Sequence, residues 1–179
     1  MYKKIGTSMS IRELVYQMIT VSSNLATNIL IDLVGARNVA ASMRSLGATD
    51  IQVLRGVEDI KAFERGMNNT TTAYDLMIIF EAIGNGKVVD KESCDEMVNI
   101  LSGQKFQDKI PALLPPGTKI AHKTGNITGV EHDSGIIFLP DGRKYVLALM
   151  SKNLKDAAAA KKAMSQVSKK VYDFLLTSK

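Results

Sequence analysis

Lys119-Ile120-Ala121-His122-Lys123-Thr124-Gly125-Asn126-Ile127-Thr128-Gly129-Val130-Glu131-His132-Asp133-Ser134-Gly135-Ile136-Ile137 is the stretch on which the reading of this chain turns. Read as a strand from Lys119, it puts Ile120 and His122 on one face and Lys119, Ala121 and Lys123 on the other. The alternation is imperfect, so the flanking signals matter: Pro115-Pro116-Gly117 before it and Gly125 at its end. Lys123, Thr124 and Gly125 are a cation, a hydroxyl and a residue without a side chain. On a sheet edge the first attracts an anion, the second hydrogen-bonds it, and the third lets a ligand lie against bare backbone. The N–H of Asn126, next along, is then placed to face a developing oxyanion. Three residues alone fit a solvated strand end followed by a turn better than a site. Their neighbours decide.

Outward toward the C-terminus, Gly135 to Leu139 is expected as a second strand. Pro140-Asp141-Gly142 marks a hairpin, and Lys144 to Met150 forms a third strand. The run Asp156 to Leu176, rich in Ala and Lys, predicts a C-terminal helix packed on that sheet. Toward the N-terminus the signals are helical. Ser10-Ile11-Arg12-Glu13 spells a capping box, followed by Leu14, Met18 and Val21 on one face. Ser22-Ser23-Asn24 interrupts with the chemistry of a turn and N-cap, and Leu25, Ile29, Leu30 and Leu33 resume a second helix. Gly35 stops it, and Ala36 to Leu46 forms another short helix. Thr72 and Asp90 cap two further helices, and Phe106 to Leu114 supplies a turn or two. Between them, positions 48–69 show no periodicity but carry Arg55, Glu58, Asp59, Lys61, Glu64 and Arg65. These balanced charges predict a long loop pinned by its own ion pairs, and loops of that length are commonly functional. Helices followed by an antiparallel sheet and a closing helix make an α+β pattern, read as a single domain over residues 1–179.

The totals narrow the function. The 179 residues carry a net charge of +5, with 45% hydrophobic and 23% charged positions, ordinary for a globular domain. No apolar run is long enough to span a membrane. Met1 to Gly6 are not followed by an apolar core, so no signal peptide is read there. The lysines at 161, 162, 169 and 170 lack interleaved aromatics and read as a solvated helix face rather than a nucleic-acid surface. Cys94 is the single cysteine, which excludes an internal disulfide. His122 and His132, even with Glu131 and Asp133 nearby, make a poor metal site, and no cofactor is expected.

Three segments in order carry a resemblance to the class A-like serine β-lactamase family. The run from Ile19 to Asn28, with Ser22-Ser23-Asn24 at its centre, resembles the family's S-D-N segment. Arg55-Gly56-Val57-Glu58-Asp59, followed by Asn69-Thr70-Thr71-Thr72-Ala73, resembles its omega loop and following helix. His122-Lys123-Thr124-Gly125 resembles its K-T-G strand. The resemblance covers the chain from about Ser10 onward and implies a β-lactamase/transpeptidase-like fold. It implies that Ser22 relays a proton to the leaving nitrogen and that Asn24 holds the substrate's amide carbonyl. Lys123 and Thr124 would bind the substrate carboxylate, Gly125 would admit it, and Asn126 would give one oxyanion-hole N–H. Glu58 would activate the water that releases the acyl-enzyme. The implied ligand is a small β-lactam or acyl-peptide, and the implied location is extracytoplasmic.

The departures are as informative. Ser23 stands where the family has Asp, a change expected to touch packing more than chemistry. Glu58 follows Arg55 by three positions rather than two, which leaves Asp59 and Glu64 as competitors. The family's S-x-x-K nucleophile motif lies upstream of its S-D-N segment, and nothing before Ser10 spells it. Ser102-Gly103-Gln104-Lys105 spells it in the wrong place, with a glycine unsuited to a nucleophile helix, and reads as a helix C-terminus. The chain is therefore expected to carry the binding half of the hydrolase without its nucleophile. An uncovered sheet edge would follow, open to homodimerisation. Two alternatives stay open: a non-catalytic module that binds β-lactams or peptidoglycan peptides, and a D-alanyl-D-alanine peptidase relative.

Overall fold

The computed structural model describes residues 6–178; the reading of Met1–Gly6 falls largely outside them. Helices α1 (Ile11–Thr20), α2 (Asn24–Val34), α3 (Ala36–Ser45), α4 (Ile60–Glu64), α5 (Ala73–Gly84) and α6 (Lys91–Ser102) come first. A 3-10 turn at Ile110–Leu113 leads into strands β1 (Ile120–Ile127), β2 (Val130–Phe138) and β3 (Lys144–Ser151), and α7 (Ala157–Thr177) closes the chain. The helices start where local chemistry dictates. The Ser10 hydroxyl accepts from Glu13 N at 3.2 Å while Glu13 Oε2 accepts from Ser10 N at 2.9 Å, the reciprocal capping box. Ser23, Asp59, Thr72, Asp90 and Asp156 cap α2, α4, α5, α6 and α7 through their side-chain oxygens.

The strands form an antiparallel sheet in the order β1-β2-β3. A two-residue turn joins β1 to β2, with Ile127 paired to Val130 and Gly129 at φ 73°, a conformation glycine adopts without strain. The sheet is covered on both sides. Ile120, Ile137 and Leu139 pack with Ile110, Leu114 and Tyr172 of the 3-10 turn and α7. Ala121 and Ile136 pack with Phe80 and Leu101 of α5 and α6. This explains the imperfect alternation of β1: neither face is given over to solvent. Burying Ile136 and Ile137 completely contributes about 2–3 kcal/mol each. A separate cluster of Leu14, Ala26 and Leu30 joins α1 to α2.

Two expectations are corrected. The second strand begins at Val130, not Gly135, because Glu131, Asp133 and Ser134 are buried within it. Buried charges are tolerated when paired: Lys109 Nζ lies 2.9 Å from Glu131, and His122 Nδ1 lies 2.8 Å from Asp133 Oδ1. The loop at 48–69 is not pinned by ion pairs; among the described residues its charged side chains form none. Amides and a guanidinium hold it by the backbone instead. Asn69 Oδ1 accepts from the N–H of Leu54 at 2.8 Å and of Arg55 at 3.1 Å. Arg55 donates to the carbonyls of Met67 and Gly56 and lies over the Phe63 ring. A short bridge between Gln52 and Thr70 closes the neck, and α4 occupies part of what was read as irregular.

Candidate active site

Ser22 lies in the break between α1 and α2 with φ 51°, a left-handed conformation that costs a non-glycine residue energy and is found at functional positions. Its side chain meets a residue from the sheet. Lys123 Nζ, 101 residues away in sequence, donates to Ser22 Oγ and also to its neighbour's carbonyl, Thr124 O, at 2.6 Å. Among the described residues Lys123 forms no salt bridge, and its hydrogen-bond partners are a hydroxyl and a carbonyl. Burial pushes its ammonium down to about 8, against the pull of Asp133 and with the help of Lys109. A cation largely removed from water, with no carboxylate within salt-bridge distance among the described residues, is chemically suited to receive an anion.

Ser23, where the family resemblance leads one to expect Asp, accepts from Ala26 N at 3.3 Å and caps α2. Aspartate would do the same at this position, so the substitution keeps the brace. Asn24 opens α2, half-buried, and among the described residues its side-chain amide has no hydrogen bond. Thr124 is buried, while Gly125 and Asn126 run toward the exposed end of β1. Strand alternation places Thr124 with His122 on the face opposite Lys123. Gly125 pairs with His132, and a Cβ on it would sit 3.7 Å from His132 Cβ. His132 Nδ1 accepts from Ser151 N at 3.1 Å, which puts the neutral ring's proton on Nε2, and burial lowers its pKa. His122 and His132 occupy opposite faces of the sheet and cannot share a metal ion.

Ser22 and Lys123 are thus brought together, with Thr124, Gly125 and Asn126 continuing along the same strand. Glu58 is not joined to them. It is exposed at φ 65°, and among the described residues its carboxylate has no partner. Of its competitors, Asp59 is committed to capping α4 through Ala62 N at 3.0 Å, and Glu64 is exposed at that helix's end. Ser102 is the last residue of α6 and donates to Val98 O at 2.7 Å; it is a helix terminus, as expected. A cavity of about 780 Å³ between the Gln52–Thr70 bridge and the ends of β2 and β3 contains none of the residues named for the site.

One contributor went unread in the sequence. Asn28 clamps Val57 from both sides, its amide donating to Val57 O at 3.0 Å and its oxygen accepting from Val57 N at 2.7 Å. That ties the loop bearing Glu58 to α2. The available signal was spacing, since Asn28 stands four residues after Asn24 on the same helix face. Gly56 is needed beside it, because a Cβ there would meet Asn28 Oδ1 at 2.9 Å.

The profile of the beta-lactamase enzyme family matches residues 1–175. Extended-spectrum beta-lactamase PER-1 of Pseudomonas aeruginosa is 27% identical over 94% of this chain and 58% of its own length. Beta-lactamase AST-1 of Nocardia asteroides is 29% identical over 96% of this chain and 57% of its own. Among solved structures, PBP-A is 31% identical with a TM-score of 0.89, covering 99% of this chain and 65% of that one. A mutant of PBP-A, an acyl-enzyme complex with penicillin-G, matches equally well in TM-score. The TLA-3 extended-spectrum beta-lactamase matches at 26% identity and TM-score 0.86. The chain spans under two-thirds of the length of these relatives. The fold is that of the β-lactamases and transpeptidases, and the chain belongs to the beta-lactamase enzyme family.

Proposed function

We propose that this chain carries the leaving-group and carboxylate-recognition side of a β-lactamase-type serine hydrolase, a site that opens β-lactam rings by acylation and water-driven deacylation. The observation that carries the reading is the Lys123–Ser22 contact, a half-buried ammonium without an acidic partner held against a hydroxyl on a strained turn. Lys123 and Thr124 bind the substrate carboxylate; β1 is an edge strand, so a ligand lying along that edge meets side chains of both faces. Charge-assisted contacts of this kind are roughly twice as strong as neutral ones. Ser22, hydrogen-bonded to a lysine whose pKa is near 8, passes a proton to the nitrogen released when the ring opens. Asn24, with its amide unengaged, takes the substrate's amide carbonyl. Gly125 gives the ligand access to the backbone, and the N–H of Asn126 stabilises the oxyanion. Glu58 activates the deacylating water, with Asp59 and Glu64 as the competing carboxylates. The substrate is a small β-lactam or related acyl-peptide, and the family supports an extracytoplasmic location. The outer edge of β3, which no described strand pairs, is the surface through which two copies join.

One observation favours a second reading, that of a penicillin-binding peptidase relative: Glu58 is exposed and, among the described residues, unpartnered, a poor posture for a water-activating base, and PBP-A is among the similar structures. A fluorescent penicillin separates the two. Rapid turnover supports the hydrolase, and a persistent covalent adduct supports the peptidase relative. Reversible binding without an adduct supports a binding module, and no binding at all overturns the site.

A further inference from the structure

Ser102-Gly103-Gln104-Lys105 spells S-x-x-K, yet it stands at a helix end and its hydroxyl is spent on Val98 O. Its third residue has a different part to play. Gln104 is 3% exposed. Its Nε2 donates to Ile19 O at 2.8 Å, and its Oε1 accepts from the N–H groups of Lys105 at 2.9 Å and Phe106 at 3.1 Å. Lys105 N in turn donates to Thr20 O at 3.0 Å. These bonds satisfy two of the terminal carbonyls of α1, which have no partner within the helix. Ile19 and Thr20 immediately precede the turn that presents Ser22. Gly103 permits the approach, since a Cβ there would lie 3.1 Å from Thr20 Cγ2 and from Ile100 O.

The same segment reaches the other half of the site. Gln107 Nε2 donates to Gln104 O at 2.5 Å and lies 3.4 Å from His122 Nε2. His122 Nδ1 contacts Asp133 Oδ1, and Asp133 Oδ2 accepts from Ile110 N at 3.0 Å. His122 is the residue before Lys123. The segment 104–110 therefore spans from the end of α1 to the back of β1, and Gln104 is its buried hinge pin. We infer that Gln104 is a positioning residue that sets the contact between Ser22 and Lys123, by fixing the end of α1 relative to the strand that carries the lysine.

A buried amide with three good hydrogen bonds would stabilise any protein, so the test reads the site itself. Lys123 in lysine-labelled protein is titrated by its 13Cε resonance, assigned by its loss in Lys123→Arg. In the unmodified protein, burial of the ammonium should place the midpoint well below the ordinary lysine value, at about 8. Gln104→Met keeps the volume and removes all three bonds. The midpoint should then rise by at least about one pH unit, as water reaches the loosened ammonium. Asp133 and Lys109, the charges that act on Lys123, keep their own side chains in this variant. Gln107→Ala, at an exposed position, should move the midpoint the same way by less, and it decides the matter if Gln104→Met does not fold. Leu139→Ala, in the cluster beneath α7, serves as a control destabilised elsewhere and should leave the midpoint in place. An unmoved midpoint in the glutamine variants, or an equal movement in Leu139→Ala, overturns the inference. The inference rests on reading Ser22 and Lys123 as the site, but the titration contains no β-lactam. Its failure would remove the role of Gln104 alone, whereas penicillin binding indifferent to Lys123→Ala would remove the site reading alone.

Discussion

Replacing Lys123 with methionine should reverse the sign of its effect on stability between neutral and alkaline pH. Burial holds the folded-state pKa at about 8, against 10.5 for an ordinary lysine. At about 1.4 kcal/mol for each factor of ten, the folded protein gives up about 3 kcal/mol to keep this ammonium charged. Below pH 8 the lysine is protonated in both folded and unfolded chains, so that cost is paid in full. Between about pH 8 and 10.5 the unfolded chain binds more protons than the folded one, and stability rises with pH. Above that window both forms are neutral and the cost is gone. Methionine never pays it, but forfeits the hydrogen bonds to Ser22 Oγ and Thr124 O, each worth about 1 kcal/mol. Lys123→Met should therefore be more stable than the unmodified protein by about 1 kcal/mol at neutral pH and less stable by about 2 kcal/mol at high pH. Urea unfolding of both proteins across this range reads the difference. A difference that stays constant with pH would refute the claim that Lys123 is a desolvated, uncompensated cation.

Three further outcomes follow from the same structure. Ser23→Ala should cost about 1 kcal/mol through loss of the α2 cap, and Ser23→Asp should restore it, read by urea midpoints; equal losses in both would show that the cap is not what position 23 supplies. In any form of the protein that acylates, Glu58→Gln should leave acylation intact and let a labelled acyl-enzyme accumulate. If Glu64→Gln does this and Glu58→Gln does not, the base is Glu64. Sedimentation velocity should find dimers or larger species, formed at the open β3 edge, and a monodisperse monomer at high concentration would contradict that.

Local chemistry was the most legible part of the sequence. Ser10, Thr72 and Asp90 announce helix starts because a short polar side chain before an apolar periodic run has few other uses. Leu139 and Arg143 bracket the Pro140-Asp141-Gly142 hairpin with a hydrogen bond of 2.8 Å, as its turn residues require. Ser102 was recognisable as a terminus from the glycine after it. What escaped depends on distant partners. Glu131, His132, Asp133 and Ser134 look like a loop because charged residues rarely enter a core; only the positions of Lys109 and His122 in space make a strand of them. The charges of the 48–69 loop suggested ion pairs, yet Asn28, Arg55 and Asn69 hold it through backbone groups, which carry no signature in the sequence. The contact between Ser22 and Lys123 was implied by family resemblance alone, since spacing across 101 residues says nothing about proximity. Glu58 shows the limit from the other side: a plausible motif position whose carboxylate has no partner among the described residues.

The most direct test of the site is to follow the Lys123 13Cε resonance while benzylpenicillin is added. A carboxylate bound against the ammonium favours its charged form, so the midpoint should climb from about 8 toward the ordinary lysine value as the ligand saturates. Lys123→Ala should abolish the binding seen by ligand-observed NMR. A midpoint that stays at its starting value with penicillin bound, or binding that survives Lys123→Ala undiminished, would contradict the assignment of Lys123 as the carboxylate-binding cation.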